Sequence, residues 1–405
     1  MRKHLLTLAL FAGILGGGSG CTHEPPPAVS SGPSEPLPMQ SFRRDWGAEL
    51  LLDKGDAIDR VFVKEDLIFA YTKKNLVFAL NRASGVIRFS NNISDTTIRP
   101  HEPVVIKDRI IFPTDSTLEI YRRDGRFERS FKTSSSIRTN VAGSPTGTRV
   151  FFGVDARNNG RLVAVETLPG MYREVNERWE LISNTGAPIY SAPATLAGIV
   201  YAAFGDGDVY AVNADTRASL WATSTGQTFK TYGPVQADLR VDDFGLYVPS
   251  MDSKFYCLDK TQGRKKWEYL AGSSLRETPA ITATMVYLPV TGSGIVAIDK
   301  INGTDVRQPK WIVKDAVKLV AEDEKYAYFH RADNIVIAVD KATGEQKFAS
   351  KRTDIVAFGT NTKDGIIYAG TREGQVLAIT PVLKPGNVGE VVMDDARPVG
   401  SFALR

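Results

Sequence analysis

Phe255-Tyr-Cys-Leu-Asp-Lys-Thr-Gln-Gly-Arg-Lys-Lys-Trp267 decides the fold, because copies of it recur along almost the whole chain. Residues 255–258 are a short apolar run. Residues 259–263 carry turn chemistry, with Gly263 free to take a positive φ. The chain then returns through Lys265 to the large aromatic Trp267. This spacing predicts a β-hairpin with an aromatic at a fixed place on its second strand.

Aligned on the residue after the apolar run, the eight copies reach Asn81, Arg122, Glu166, Asn213, Asp259, Asp299, Asp340 and Thr380. Consecutive anchors lie about 40–47 residues apart, the period of a four-stranded propeller blade. The aromatic after the turn is Phe89, Phe131, Trp179, Trp221, Trp267, Trp311 and Phe348 in the first seven copies, whereas the eighth runs into Pro381. One of the five tryptophans, Trp46, is left over ahead of the first copy. A ring of blades must close, and a leading strand around Trp46 supplies the fourth strand that the last copy lacks.

The expected fold is therefore all-β: an eight-bladed β-propeller of four-stranded blades over residues 43–381, closed by an N-terminal strand. In the fourth repeat the strands are expected at residues 192–197, 199–204, 208–213 and 220–223, separated by turn signals such as Gly205-Asp206-Gly207. Trp46, Phe89, Trp179, Trp221, Trp267, Trp311 and Phe348 are expected to dock between neighbouring blades. Each would bury apolar area worth about 1.5–3 kcal/mol. Stacking on a flat cofactor is the rival role for such rings, but so many equivalent stacking sites make no chemical sense.

A chain of 405 residues exceeds an ordinary domain, yet a ring of repeats counts as one. With 42% hydrophobic and 24% charged residues, the core is ample. Setting aside Arg2 and Lys3 of the expected leader leaves 48 basic against 46 acidic side chains. So even a balance provides no electrostatic footprint for nucleic acid.

Residues 1–20 read as an export signal: a basic start, an apolar run from Leu5 to Leu15 too short to span a bilayer, and small residues before Cys21. Residues 21–42 hold six prolines among serines and read as an extended tether, and residues 382–405 as a polar tail. Insertions at 167–178 and 304–310 both fall between third and fourth strands, so they should protrude on one rim.

No pair of histidines or clustered carboxylates stands at metal-ligand spacing, so neither a metal nor a cofactor is expected. Asp206 and Asp208 suit a hairpin turn better than a calcium loop, which would need a later acidic ligand. Cys257 replaces the alanine of most copies and reads as a small buried hydrophobe.

Gly18-Ser19-Gly20-Cys21 resembles the lipobox of bacterial lipoproteins, with glycine where leucine is usual three residues before the cysteine. The resemblance implies acylation of Cys21 and anchoring to a membrane surface. Thr22 in place of the inner-membrane retention aspartate implies the periplasmic side of the outer membrane. The repeat Ala-x-Asp-x-x-x-Gly-x-x-x-Trp, present at residues 257–267 with cysteine for alanine, resembles the tryptophan-docking repeat of quinoprotein-like propellers. The order lipobox, tether and eight blades resembles the propeller lipoprotein family of the β-barrel assembly machinery. That resemblance implies a non-enzymatic scaffold, monomeric within a complex, binding the barrel-forming outer-membrane partner and extended outer-membrane clients. In that family the contacts come from loops leading into inner strands. Here Leu275, Arg276 and Glu277 echo one such loop in residue type, although they precede the sixth repeat rather than the fourth. Two other readings stay open: an envelope lipoprotein whose propeller binds another protein or a glycan, and a pyrroloquinoline-quinone alcohol dehydrogenase. The second would need an adjacent cysteine pair, which Cys21 and Cys257 do not form.

Overall fold

The second and third strands of each repeat are apolar on both faces, so each sheet needs a neighbour on either side. Stacking sheets around a circle provides this. The computed structural model describes residues 42–94, 99–156, 159–167, 177–221, 229–301 and 308–382. Among these, all strands fall into eight antiparallel four-stranded sheets. Blades 1 to 7 cover residues 58–92, 104–132, 142–182, 194–230, 240–270, 280–313 and 316–351. Blade 8 takes three strands from residues 355–381, and its outer strand is Phe42–Glu49. Trp46 lies opposite Ala378 in that pairing. The leader (1–20), Cys21, the tether up to residue 41, residues 168–176 and 302–307 of the two insertions, and 383–405 of the tail lie outside the described residues.

Apolar packing repeats the circle. Eight buried clusters each join the facing surfaces of two neighbouring blades, for example Tyr287 and Trp311 of blade 6 with Leu319 and Phe329 of blade 7. The cluster that seals the ring joins Ile58, Val61 and Leu80 of blade 1 to Tyr368, Val376 and Ala378 of blade 8. Arg82 of blade 1 reinforces this seam. Its guanidinium donates to the Asp364 carboxylate at 2.6 Å, to Asn361 Oδ1 at 2.9 Å and to the Tyr368 hydroxyl at 3.2 Å, all on blade 8.

The small residue of the motif has a steric purpose. In blade 6, Ala297 pairs with Tyr287 on one side and Trp311 on the other, leaving the two rings 5.9 Å apart across it. Phe69-Ala79-Phe89, Phe151-Ala164-Trp179, Tyr247-Cys257-Trp267, Tyr328-Ala338-Phe348 and Tyr368-Ala378-Trp46 repeat the row. Blade 2 departs from it. Ile120 fills the small position, Arg129 stands opposite, and Phe131 pairs with Leu118 two places along, so Phe131 is not equivalent to the other aromatics.

Asp or Asn at the end of the row caps the following turn. Asp259 Oδ1 accepts from the backbone of Thr261 and Gln262 at 2.9 and 2.8 Å, as Asp340 does from Ala342 and Thr343 at 2.9 and 3.2 Å. The turn glycine then meets the preceding blade's ring. A Cβ on Gly344, at φ 76°, would lie 2.5 Å from Trp311, and one on Gly263, at φ 69°, 2.6 Å from Trp221. Above that contact the indole N–H finds a backbone carbonyl of the next blade: Trp46 to Arg82, Trp179 to Ala214, Trp221 to Lys260 and Trp311 to Lys341, at 3.0–3.1 Å.

Blade 4 has strands at Ala194–Leu196, Ile199–Ala203, Asp208–Asn213 and Phe229–Lys230; of the expected outer strand, residues 222–223 lie outside the described residues. Trp221 is nonetheless held in place, buried, by the Leu220 N–H bond to Ala211 O and the bridge between Val212 and Ser219. Asp206 and Asp208 form a turn: Asp206 Oδ1 accepts from the Asp208 N–H at 3.0 Å, and Lys230 pairs with Asp208 at 2.9 Å. Cys257 is fully buried, and burial pushes its thiol up to about 12, so it packs as a hydrophobe.

Candidate functional site: one rim and the central channel

Antiparallel four-stranded blades divide their connections between two faces. One face carries the first-to-second and third-to-fourth turns. The other carries the second-to-third turns and the segments that lead from each outer strand to the next inner strand. On this second face the connections are tied to one another. Gly205 N–H donates to Pro188 O at 2.7 Å, Met251 N–H to Pro234 O at 2.9 Å, and Ser274 Oγ to Met251 O at 2.9 Å. The rim across blades 4 to 6 is therefore a braced surface rather than a set of loose loops.

Of the three residues singled out there, Leu275 is corrected. It is fully buried in the cluster between blades 5 and 6, and its N–H donates to Ser250 O, so it holds the loop down and cannot meet a partner. Arg276 and Glu277 are exposed, and Glu277 reaches the mouth of the channel. Two exposed aromatics on the same face escaped the sequence reading: Tyr190, and Tyr232 with 90% of its surface free. Tyr232 is fixed from below. Its N–H donates to Asp252 Oδ2 at 2.9 Å, and the Lys254 ammonium lies 5.9 Å from its ring centre. A tyrosine in a turn-rich segment outside the repeat's aromatic positions was the available signal.

The inner strands border a central channel; a cavity of about 1100 Å³ lies along blades 1 and 5 to 8, and one of about 340 Å³ along blades 1 to 5. Glu102, leading into blade 2, forms an ion pair with Lys64 of blade 1 at 2.6 Å. Burial pushes the Glu102 carboxyl upward. Lys64, helped by Arg240 and Lys318 from the far wall, outweighs it and holds the group below the usual carboxylate range. Lys318 is lowered by burial, with Glu102 opposing. These groups come from four blades, so no local motif announces them. Next to the channel, burial and then the Arg60 charge hold His101 below the ordinary imidazole range.

These features define a class: a closed propeller built from tryptophan-docking repeats, with a rigid aromatic and charged rim around a central channel. Residues 205–347, most of blades 4 to 7, match the model of the family described as "Outer membrane protein assembly factor BamB". The outer membrane protein assembly factor BamB of Kangiella koreensis is 26% identical over 161 residues, which span 38% of this chain and 41% of that protein, less than half of either. Among solved structures, BamB from Moraxella catarrhalis superposes with a TM-score of 0.62 at 17% identity, covering 84% of this chain and 98% of that one. The C-terminal WD40 domain of Sif2 gives 0.62 at 10% identity over 86% of this chain and 99% of its own. The computationally designed Ika8 protein gives 0.59 at 12% identity over 86% and 100%. At these identities the structures share the fold. The resemblance carried by the repeat is thus met in sequence by the BamB family model and a BamB relative, and in fold by a BamB structure.

Proposed function

We propose that this protein is a non-enzymatic scaffold that assists the assembly of β-barrel proteins into the outer membrane. Acylation at Cys21 would hold it to the periplasmic side of that membrane, and the tether would let the ring stand off the surface. The observation that carries the reading is the BamB family match over residues 205–347, a stretch that contains the Tyr232 and Arg276 rim. On this reading Tyr190, Tyr232, Arg276 and Glu277 face the barrel-forming partner. Tyrosine and arginine supply the large, rigid contacts that dominate such interfaces, and the bracing of the rim limits the ordering cost of binding. The docked tryptophans act only as wedges.

The test is co-purification from detergent-solubilised envelopes of the native bacterium. The wild-type protein should recover the barrel-forming component of the assembly machinery. Tyr232→Ala with Arg276→Ala should cut recovery by about tenfold or more, the loss expected for two interface anchors. Recovery of an unrelated complex, together with normal outer-membrane protein levels in a deletion strain, would replace this reading with a propeller that binds another protein or a glycan.

A further inference from the structure

Ion pairing along the inner wall is uneven. Lys64 and Lys300 each have a carboxylate close by: Glu102 at 2.6 Å and Asp242 at 2.8 Å. Arg240 and Lys318, both lining the 1100 Å³ cavity, form no ion pair within 4 Å among the described residues. Lys318 Nζ donates to one carbonyl, Phe358 O at 2.7 Å, which leaves two of its three N–H donors without a protein acceptor. Arg240 has five donors, of which one meets the neighbouring Leu239 carbonyl at 3.3 Å. Glu102 acts electrostatically with both, and it is already bound to Lys64; Asp242, Asp243 and Glu277 line the same space. The lining also includes Val61, Val63, Ile281 and Leu319, apolar groups that lower the local dielectric and strengthen any charge attraction. Thr362 lines the same space.

We propose that the central channel holds a small oxyanion, a carboxylate or phosphate group, bound between Arg240 of blade 5 and Lys318 of blade 7. Such a ligand supplies the acceptors that both cations lack and ties blade 5 to blade 7. A planar guanidinium donates to two oxygens of one group, and the ammonium adds a third contact as a point charge. Burial disfavours the charged form of Lys318 in the free channel, and a bound anion would reverse that. The site is independent of the rim, so it stands or falls apart from the scaffold role.

The probes are inorganic phosphate and succinate, titrated calorimetrically at fixed ionic strength into the purified protein at pH 7. Chloride serves as the screening control. Wild-type protein should bind one equivalent of phosphate or succinate saturably, with chloride giving no saturable heat; the tighter of the two identifies the preferred group. Lys318→Gln and Arg240→Gln should each weaken binding about tenfold or more, whereas Lys347→Gln, in an exposed ion pair, should leave it unchanged. Circular dichroism shows whether each variant is folded. No saturable heat in the wild type, or equal binding by folded Lys318→Gln and Arg240→Gln proteins, would overturn the site.

Discussion

Replacing Trp46 with alanine should destabilise the whole ring by about 3 kcal/mol. The ring of Trp46 lies over Gly85 of blade 1, where a Cβ would come within 2.4 Å of it, and sits 6.0 Å from the Tyr368 ring of its own blade. Its N–H donates to Arg82 O at 3.0 Å across the seam. Fully buried tryptophans cost about 3–5 kcal/mol on truncation to alanine, and Trp46 is only half-buried, which sets the lower end. Trp46→Phe keeps most of the apolar area and loses the hydrogen bond, so it should cost about 1 kcal/mol. Urea unfolding with linear extrapolation separates the two. A single transition with unchanged slope is expected, because the seam is one of eight equivalent apolar interfaces in a closed circle. A loss below about 1 kcal/mol for Trp46→Ala, or a separate early transition, would mean that the leading strand is a detachable flap and that closure does not depend on the indole.

Trp267 is buried, but its Nε1 has no acceptor among the described residues, whereas Trp311 Nε1 donates to Lys341 O at 3.1 Å. Trp267→Phe should therefore cost at least about 1 kcal/mol less than Trp311→Phe in the same denaturation assay, and equal losses would refute the comparison. Acid should weaken the fold through His101 and His330, both held below the ordinary value mainly by burial. Their depressed folded pKa values mean that this stability is complete above about pH 6.5 and is lost as pH falls through the folded values. The thermal midpoint of His101→Gln/His330→Gln should vary less than wild type between pH 7.5 and 5, and an unchanged slope would contradict the assignment.

Periodicity along the chain was enough for the architecture. The recurrence of small residue, Asp or Asn, glycine and aromatic reports contacts within one hairpin and with the turn beside it, so each copy carries its own instructions. The surplus of one tryptophan and the deficit of one outer strand even located the seam, where Trp46 pairs with Ala378. Exceptions were hidden because they depend on neighbours: Arg129 and not Phe131 stands opposite Ile120 in blade 2, and the outer strand of blade 4 includes Phe229–Lys230. Surface and channel were the least legible. Leu275 looks like a contact residue in its loop and is consumed by the core between two blades, while Tyr232 shows its exposure only once Asp252 and Lys254 of the next turn are placed beneath it. Lys64, Glu102, Arg240 and Lys318 stand far apart in the chain, and it is the closing of the circle that brings their charges within reach of one another. Short-range packing rules repeat and can be read from one strand; electrostatic partners across a ring depend on where all eight blades come to rest.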